Sequence, residues 1–553
     1  MERASKFIQK GHSQFRRKFT PRHHRNADGQ FSDEFLRQAD HSFIGLKLGG
    51  QRMAKTNNSE TGTFSARYTQ QLVRDGVIPV HKVIATPNIG PLGIAGIRKN
   101  MKAITGPAYR DMLPKEKCLV VLVMDGINIE GKINVDTTTR PMVFTGMCRH
   151  CDKNVFNTMD DANKLQEGLR DNKFHVASES EVICLGLIHP TITTLIPIAE
   201  VPTCKGDEYV GQSTHAISFL LTAVEDAYYE YKLDSLLGPL ATLSSDGAAA
   251  FRKGAGIITS DILPPEIRLV YDDCSFFNTV GGQKGTTPNC DLDHLGKRNR
   301  VRGKSDTGSQ VGNFCFNKWK LAKWFGMSGV VKTESQALKL LNPDDNMDVK
   351  EMVRYLQAVK KIASKPYEEL PLSFKSRPGS ADEYRAIKLY GEVEGCLAAL
   401  IIGHHGSLDE DGTHMSVTEI LQTAAKFSFL LFFIFRKHKT AFFPNQHYRN
   451  CQDTVKNMFV CVTLAKVNGI KDYIFFQNST KRLEQLFGVV RSMVGGDLNF
   501  DSLGLRRRLG DASALSQIYA RHPEWDSPPR KLTCSFDRKK MSFLAGRYKG
   551  ERC

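Results

Sequence analysis

The amino-acid sequence predicts an α/β fold in which a mixed β-sheet is interrupted by a large, mostly helical insertion and flanked by basic, flexible termini. Three runs of β-branched and apolar residues, separated by short polar turns, follow Lys117 and predict an antiparallel meander. Apolar residues then recur at helical spacing over 215–237, and a further strand follows over 240–246. Residues 315–470 alternate amphipathic helical segments with loops, which predicts the insertion.

The strand that opens this pattern and the strand that closes it each end in an acidic residue. Asp125 ends the apolar run over 120–125, and Asp246 ends the strand over 240–246. A crossover between parallel strands of one sheet is right-handed in nearly all proteins, so the intervening helix can return the chain beside the first strand. Asp246 then lies beside Asp125. This order of strands, helix and acid-bearing strand predicts a ribonuclease-H-like core.

Changes in composition divide the chain into six segments. They are a basic flexible arm over 1–60, a small helical lead-in over 61–116, the first part of the core over 117–280, the helical insertion over 281–470, the closing helix of the core over 471–500 and a basic tail over 501–553.

The formal net charge of +17 is concentrated at the two ends of the chain. Residues 1–25 carry eight Lys and Arg against one acid, and residues 505–553 carry twelve against five. A nearly neutral body with basic ends favours a polyanionic partner, most often nucleic acid. Solvated, disordered tails are the alternative explanation for each end.

A third acid lies in the predicted closing helix. The segment RLEQLFGVVRS over 482–492 places Glu484, Phe487 and Arg491 on one helical face. We interpret Asp125, Asp246 and Glu484 as one catalytic, metal-binding cluster, because two divalent ions about 4 Å apart can clamp both oxygens of a phosphodiester exchange. Carboxylates favour Mg²⁺, with Mn²⁺ as a second possibility. Taken singly, each acid is more often a turn, cap or solvated residue.

A dense basic cluster lies in the stretch DLDHLGKRNRVRGKS over 291–305. Basic side chains next to a metal site are typical of contacts to backbone phosphate, which position a duplex without reading its sequence. A solvated helix face is the alternative. The predicted nucleic-acid-binding residues are His294, Lys297, Arg298, Arg300, Arg302 and Lys304, together with Arg491 of the closing helix.

Four segments of the chain, in this order, resemble the P-element type of DNA transposase and its THAP-domain relatives. MDGINIEGKINVDTTTRPMVFTGM over 124–147 looks like the family's opening hairpin, and SSDGAAAFRKG over 244–254 is similar to its D-G-A-x-x-x-R segment. DLDHLGKRNR over 291–300 resembles its D-x-x-H-L-x-K-x-x-R stretch, which Asp291 and His294 open. LEQLFGVVRS over 483–492 resembles its E-x-x-F-x-x-x-R-S segment.

The resemblance implies a nuclear enzyme that cleaves DNA at transposon ends and joins them to target DNA, acting as a homo-oligomer on DNA. Two features reported for this family or some of its members are missing from the sequence. The first 60 residues contain no cysteine and therefore no zinc-binding THAP finger. Gly303, Lys304 and Ser305 lack the upstream glycine of a P-loop, so the sequence does not support GTP as a cofactor.

Three functions remain open at this level. The first is a metal-dependent transposase or nuclease, which the presence of all three acids favours. The second is a domesticated, transposase-derived protein that binds DNA without catalytic activity, which the missing finger favours. The third is a cellular ribonuclease-H-like nuclease unrelated to transposition.

No membrane partner is expected from the sequence. The most apolar run, FSFLLFFIF over 427–435, is about half the length that crosses a bilayer and is typical of a buried helix. The thirteen cysteines are scattered, and the amino terminus lacks the apolar region of a signal peptide, which predicts a reduced intracellular protein.

Two smaller groups of possible metal ligands are present. Cys148 and Cys151 have zinc-knuckle spacing, with Cys184 and Cys204 as possible partners, but ordinary thiols are the more frequent explanation. His404, His405 and His414 lie among acids in a polar stretch, which we interpret as a solvated loop.

Overall fold

The structure is a computed structural model. The residues that it describes are 30–48, 66–80, 82–106, 109, 113–190, 192, 194–204, 210–268, 277–331, 333–341, 349–404, 415–471, 473–493, 499–522 and 525.

The first half of the chain contains most of the central sheet. Its helices and strands, in chain order, are α1 (Asp33–Leu48), α2 (Ala66–Arg74), α3 (Pro91–Ile104), β1 (Leu119–Asn128), β2 (Asn134–Asp136), β3 (Met142–Thr145), β4 (Val155–Phe156), α4 (Met159–Arg170), β5 (Glu179–Ile188), β6 (Leu195–Thr203), α5 (Val210–Glu230), α6 (Leu233–Leu236) and β7 (Leu240–Ser245).

The second half is mostly helical. Its elements are α7 (Ala249–Ile258), β8 (Asp261–Ile262), α8 (Pro265–Arg268), β9 (Val280–Gly281), β10 (Thr287–Cys290), α9 (Leu292–Lys304), β11 (Ser309–Val311), β12 (Phe314–Phe316), α10 (Lys318–Met327), α11 (Glu334–Leu340), α12 (Val349–Ser364), α13 (Leu372–Lys375), α14 (Ser380–His404), α15 (Val417–His438), α16 (Asn445–Val467), α17 (Lys481–Ser492) and α18 (Ser502–Arg521).

The central sheet has the strand order β10-β7-β1-β5-β6. β5 runs antiparallel to β1 and to β6, whereas β7 runs parallel to β1 and to β10. The helix α5 provides most of the crossover between β6 and β7. This mixed sheet with a long helical insertion before α17 confirms the predicted fold class.

Both faces of β1 are buried, which explains its nearly continuous apolar sequence. Because successive side chains of a strand point to opposite faces, Val121 and Val123 pack on one side with α1, α17 and α18. Val120 and Leu122 pack on the other side with α3 and α5. The sheet is therefore the middle layer of the core, with helices on both faces.

Two details of the sheet differ from the sequence prediction. The runs after β1 do not continue a meander with it, because β2, β3 and β4 form a separate three-stranded sheet while β1 pairs with β5. The fifth strand of the core is β10, which lies within the range predicted as insertion. The candidate strand over 267–273 falls largely outside the described residues. Short strands with polar turns do not specify their partner, so sequence alone could not choose between these pairings.

The prediction of flexible ends is wrong for residues 33–48 and 502–521. α1 buries Phe35 and Phe43 against the central sheet, and α18 buries Leu505 and Leu509 in the same cluster. Arg506 of α18 also forms a buried ion pair of 2.5 Å with Asp136. Residues 1–29 and 49–60 of the predicted arm, and residues 523–524 and 526–553 of the predicted tail, lie outside the described residues.

The most apolar run lies in α15, a helix that has the length and composition to cross a membrane. Its buried face packs Phe427 and Leu431 into the core of the insertion. Its opposite face exposes Phe429 and Phe433, which are 57% and 60% exposed. The expected buried helix is therefore buried along one face, as a core helix of the insertion.

Candidate metal centre

Asp125 lies within β1, three residues before its last residue, and Asp246 directly follows the last residue of the adjacent parallel strand β7. Val123 of β1 pairs with Ser244 of β7, and each acid follows its member of this pair by two residues. Residues two apart on a strand share a face, so Asp125 lies on the face that Val123 packs against α17. Neighbouring strands are about 4.8 Å apart, so the two acids lie at the same edge of the sheet.

The turn after β7 is fixed by several hydrogen bonds. The Asp246 carboxylate accepts one from the Ala248 backbone N–H at 2.8 Å. Gly247 has φ +78°, and a Cβ atom there would lie 2.5 Å from the Sγ atom of Cys290, so the turn requires glycine. The Gly247 carbonyl accepts hydrogen bonds from Arg298 of α9 and Gln446 of α16, at 3.2 and 3.0 Å. Two helices of the insertion therefore hold Asp246 in place.

The amino-terminal ends of α9 and α17 are joined directly. Asp291 caps α9 by accepting a hydrogen bond of 3.0 Å from the Asp293 backbone N–H. Its second carboxylate oxygen accepts 2.8 Å from the hydroxyl of Thr480, the N-cap residue of α17. Glu484 lies one helical turn beyond Thr480, so this contact brings Glu484 to the start of α9.

A group with metal-ligand geometry results from this joint. Ligand atoms of Asp291, His294 and Glu484 all lie within 4.8 Å of one another. Among the described residues, this is the one group of three or more Asp, Glu, His or Cys side chains whose ligand atoms lie this close together. From the sequence, Asp291 and His294 were both expected near the predicted metal site, His294 as a DNA contact and Asp291 through the resemblance. Their i, i+3 spacing, which places both on one helical face, was the available signal.

Electrostatics link this group to Asp125. Burial raises the pKa of Asp125 to about 7, a rise that the Gly126 N–H opposes and the charges of Asp246 and Glu484 increase, while His294 lowers it. Asp125, Asp246, Glu484 and Asp291 thus surround one region with excess negative charge, and a divalent cation would relieve their repulsion.

The pKa values of the other two groups are shifted by the same surroundings. Burial raises the pKa of Glu484, and Asp291 raises it further, whereas His294 and Lys297 lower it. Burial lowers the pKa of His294, but the neighbouring Asp291 carboxylate outweighs this effect, so the net shift is upward. The Nδ1 atom of His294 is 3.7 Å from Asp291. The Asp291 carboxylate therefore favours the protonated form of His294.

The donor set fits a hard divalent ion. Carboxylate oxygens dominate it, as magnesium and manganese prefer, and the single imidazole is compatible with manganese. Asp125 and Asp246 lie at one edge of the sheet, and Glu484 groups with Asp291 and His294 at the start of α9.

The basic cluster on α9 does not form one DNA-facing surface. Arg300 and Lys304 are 2% and 4% exposed, so the prediction that they contact DNA is wrong for this conformation. Arg298 donates to the carbonyls of Asp246 and Gly247, and Arg302 donates to the Ala441 carbonyl. The reason is geometric, because a basic run on a helix with 3.6 residues per turn covers every face, including the buried one.

Two predicted phosphate contacts remain near the acids. Lys297 is half-buried and close enough to lower the pKa of Glu484. Arg491 is exposed near the end of α17, two turns beyond Glu484. Their roles as DNA contacts stay predictions.

The predicted zinc knuckle is not assembled with four ligands in the described part of the chain. The Sγ atoms of Cys148 and Cys204 are 3.3 Å apart, whereas Cys184 is buried in β5 of the central sheet. Cys151 instead contacts the sulfur of Met147 at 3.8 Å. His404 ends α14, and His405 and His414 lie outside the described residues.

The fold and this group of acids together define a ribonuclease-H-like protein with a candidate metal centre at the carboxyl ends of β1 and β7. Among solved structures, the chain is similar to the Drosophila P element transposase strand transfer complex. The TM-score is 0.50 with 11% sequence identity, covering 94% of this chain and 99% of that one. This likeness supports a transposase-like fold. No protein-family model matches the chain, and no curated protein matches it by sequence.

Proposed function

We propose that this protein is a metal-dependent DNA transposase-like nuclease that cleaves strands at transposon ends and transfers them to target DNA. The observation that carries the proposal is the placement of Asp125 and Asp246 at one edge of two adjacent parallel strands, with Glu484 close enough for its charge to raise the pKa of Asp125. The similarity to a transposase strand transfer complex over nearly the whole chain supports it.

The roles of the side chains follow from their positions. A bound pair of divalent ions would supply Lewis-acid stabilisation to the attacking and leaving oxygens. Asp125 and Asp246 would hold these ions from the sheet, and Glu484 from α17. Asp291 fixes the distance between α9 and α17 through Thr480. His294 and Asp291 would add an imidazole nitrogen and a carboxylate oxygen to the donor set beside Glu484.

DNA at transposon ends, target DNA, a nuclear location and a homo-oligomeric state on DNA belong to the same proposal. Lys297, which is half-buried, and Arg491, which is exposed, would bind backbone phosphate. Mg²⁺ is the proposed ion, with Mn²⁺ as its substitute. The alternative is a domesticated, transposase-derived protein that binds DNA without cleaving it.

The test is a pair of assays on wild type and Asp246→Asn with candidate end DNA. Nicking is measured with magnesium or manganese, and binding is measured without divalent ions. Asp246→Asn removes a charge that the ions need but keeps the Ala248 N–H contact, so cleavage should disappear while DNA binding persists.

A matched control is Asp306→Asn, an acid-to-amide change beyond the opposite end of α9, where the side chain is 76% exposed. It should leave cleavage unchanged. Unchanged cleavage in Asp246→Asn would reject the assignment of this acid. Wild-type binding without cleavage under either ion would favour the domesticated alternative.

A further inference from the structure

A cleft of about 380 Å³ lies beside the turn that carries Asp246. α7, α16 and the segment around β9 form its walls. Its lining includes Arg252, Phe277, Tyr448, Arg449, Asp453 and Lys456.

Positive charge exceeds negative charge in the described lining of this cleft. Arg252, Arg449 and Lys456 share one carboxylate, Asp453. Burial raises the pKa of Asp453, although all three cations lower it. Burial lowers the pKa of Arg252, and the charge of Arg449 lowers it further. At Arg252, the repulsion from Arg449 therefore outweighs the attraction of Asp453.

Arg252 is the least satisfied of these cations. Its Nε atom is buried and, among the described residues, has no hydrogen-bond partner. Lys456, by contrast, donates to the side chain of Asn278 and the carbonyl of Val280. An anion that accepts from Arg252 and Arg449 would satisfy the buried donor and reduce the repulsion between the two guanidinium groups.

The position of the cleft relates it to the candidate metal centre. Arg252 lies in the first turn of α7, six residues after Asp246. Gln446 of α16 donates to the Gly247 carbonyl, and Arg449 lies one helical turn, about 5 Å, further along α16. The cleft thus begins about one helical turn from the turn that positions Asp246.

Aromatic and amide side chains also line the cleft. Phe277 and Tyr448 line the cleft with rings, and Asn278 lines it with an amide. Aromatic rings beside a basic groove are the combination that binds unpaired bases next to backbone phosphates. The volume lies within the range of small-molecule sites, about 300–1,000 Å³.

We propose that this cleft is a nucleotide-phosphate site, in which Arg252 and Arg449 bind the phosphate group that neighbours the scissile phosphate and the rings contact its sugar or base. The proposal rests on the proposed function for the source of the phosphate, a DNA strand. The chemistry would also accept a free nucleoside monophosphate.

The first arm of the test measures DNA affinity against salt concentration in EDTA, where no cleavage occurs. Arg252→Gln and Arg449→Gln should each reduce the slope of log K against log salt by about one, because each removes a phosphate contact. Lys253→Gln is the matched control, since Lys253 is the next residue of α7 and is exposed outside the cleft. It should keep the wild-type slope.

The second arm measures the melting temperature with thymidine 5′-monophosphate or inorganic phosphate. No shift, together with the reduced slopes, assigns the site to DNA phosphate. A rise in wild type that Arg252→Gln and Arg449→Gln both lose assigns it to a free nucleotide or phosphate. The melting temperatures of the unliganded variants check that both fold.

The proposal is overturned if neither arm separates the two arginine variants from Lys253→Gln. Its failure is distinct from failure of the proposed function, because neither arm measures cleavage. If both arginine variants keep the wild-type salt slope and melting response while cleavage still depends on Asp246, only the proposed phosphate site in the cleft is rejected. If the arginine variants differ from Lys253→Gln in salt slope or melting temperature, but cleavage does not depend on Asp246, only the proposed nuclease function is rejected.

Discussion

Asp291 connects the two helices that approach the acids. One of its oxygens caps α9, and the other accepts a hydrogen bond from Thr480 at the start of α17. Because Glu484 lies one turn beyond Thr480, the position of Glu484 depends on this hydrogen bond. A residue that the sequence marked only through a resemblance thus becomes a positioning residue for the third acid.

Thr480→Val should slow cleavage about 10- to 100-fold, as removal of a partner that orients metal ligands usually does. The physical reason is that Val keeps the shape of threonine but donates no hydrogen bond to Asp291. Single-turnover cleavage rates at saturating DNA are the measurement. Ser479→Ala is the neighbouring control, since its hydroxyl donates to the Phe476 carbonyl and accepts from the Lys481 N–H without contacting Asp291, and it should cleave nearly normally. Equal rates for Thr480→Val and wild type would contradict this positioning role.

A second residue-scale effect concerns Glu394, which is fully buried in α14. Burial raises its pKa to about 7, against the hydrogen bonds from Asn299 and Tyr390. The folded state therefore favours the protonated carboxyl of Glu394. The contribution of this group to the free energy of unfolding is fully present below pH 4.5 and is lost as the pH rises through about 7.

Glu394→Gln should remove this loss, because glutamine stays neutral and still accepts from Asn299. Relative to wild type, the variant should gain up to about 3 kcal/mol in unfolding free energy between pH 5 and pH 8. Urea unfolding at both pH values measures the gain. Glu392→Gln, on the same helix but in a half-exposed ion pair, should show little pH-dependent change. A gain of the same size in both variants would refute the burial explanation.

At the scale of residues, the sequence was most informative where an acid ends a strand. Asp125 and Asp246 could be found because apolar runs mark strand ends, and Glu484 because its helix has a clear period. Arg300 and Lys304 were misjudged, since a uniformly basic run does not reveal which helical face is buried. Asp291 and His294 could be joined to Glu484 only by the tertiary contact through Thr480.

At the scale of elements, α18 shows how the carboxyl-terminal region joins the core. Its leucines pack against the central sheet, and Arg506 pairs with Asp136 where both side chains are almost fully buried. The sequence analysis took this segment for a tail because its charge was counted without its apolar period. In a run of arginines such as 506–508, the sequence does not show which side chain is buried.

Arg506→Met should destabilise the protein by about 3–5 kcal/mol, because it leaves the Asp136 carboxylate buried without its cation. Arg507→Met is the matched control, as Arg507 is the next residue and is exposed. Its cost should stay below about 0.5 kcal/mol. The measurement is the free energy of unfolding by urea, and similar losses in both variants would contradict the buried-pair account.

The sequence predicted which segments of the central sheet are strands more accurately than it predicted which strands pair with each other. Strands β1, β5, β6 and β7 coincide with predicted apolar runs, since each is buried over most of its length. The small sheet of β2, β3 and β4 was joined to β1 in the prediction, because a hairpin-like sequence does not show where the chain turns away. β10 was not predicted, because its four residues, TPNC, are too few to show the alternating apolar pattern of a strand.

At the scale of the whole molecule, the insertion supports the site as well as interrupting the sheet. α9 and α16 both donate hydrogen bonds to the Gly247 carbonyl, although more than 150 residues separate their first residues. α9 and α17 then meet through Asp291 and Thr480. The acids of the core are thus positioned by the helices that the sequence separates from them, which no local pattern could show.

The most direct test of this account locates the bound metal. Iron(II) replaces magnesium in the full-length protein, and ascorbate with hydrogen peroxide then generates hydroxyl radicals that break the backbone near the ion. The account predicts breaks close to residues 125, 246, 291–294 and 484, which magnesium suppresses and Asp246→Asn weakens. Breaks confined to other segments, such as 148–151, or unchanged by Asp246→Asn, would contradict a metal centre at these acids.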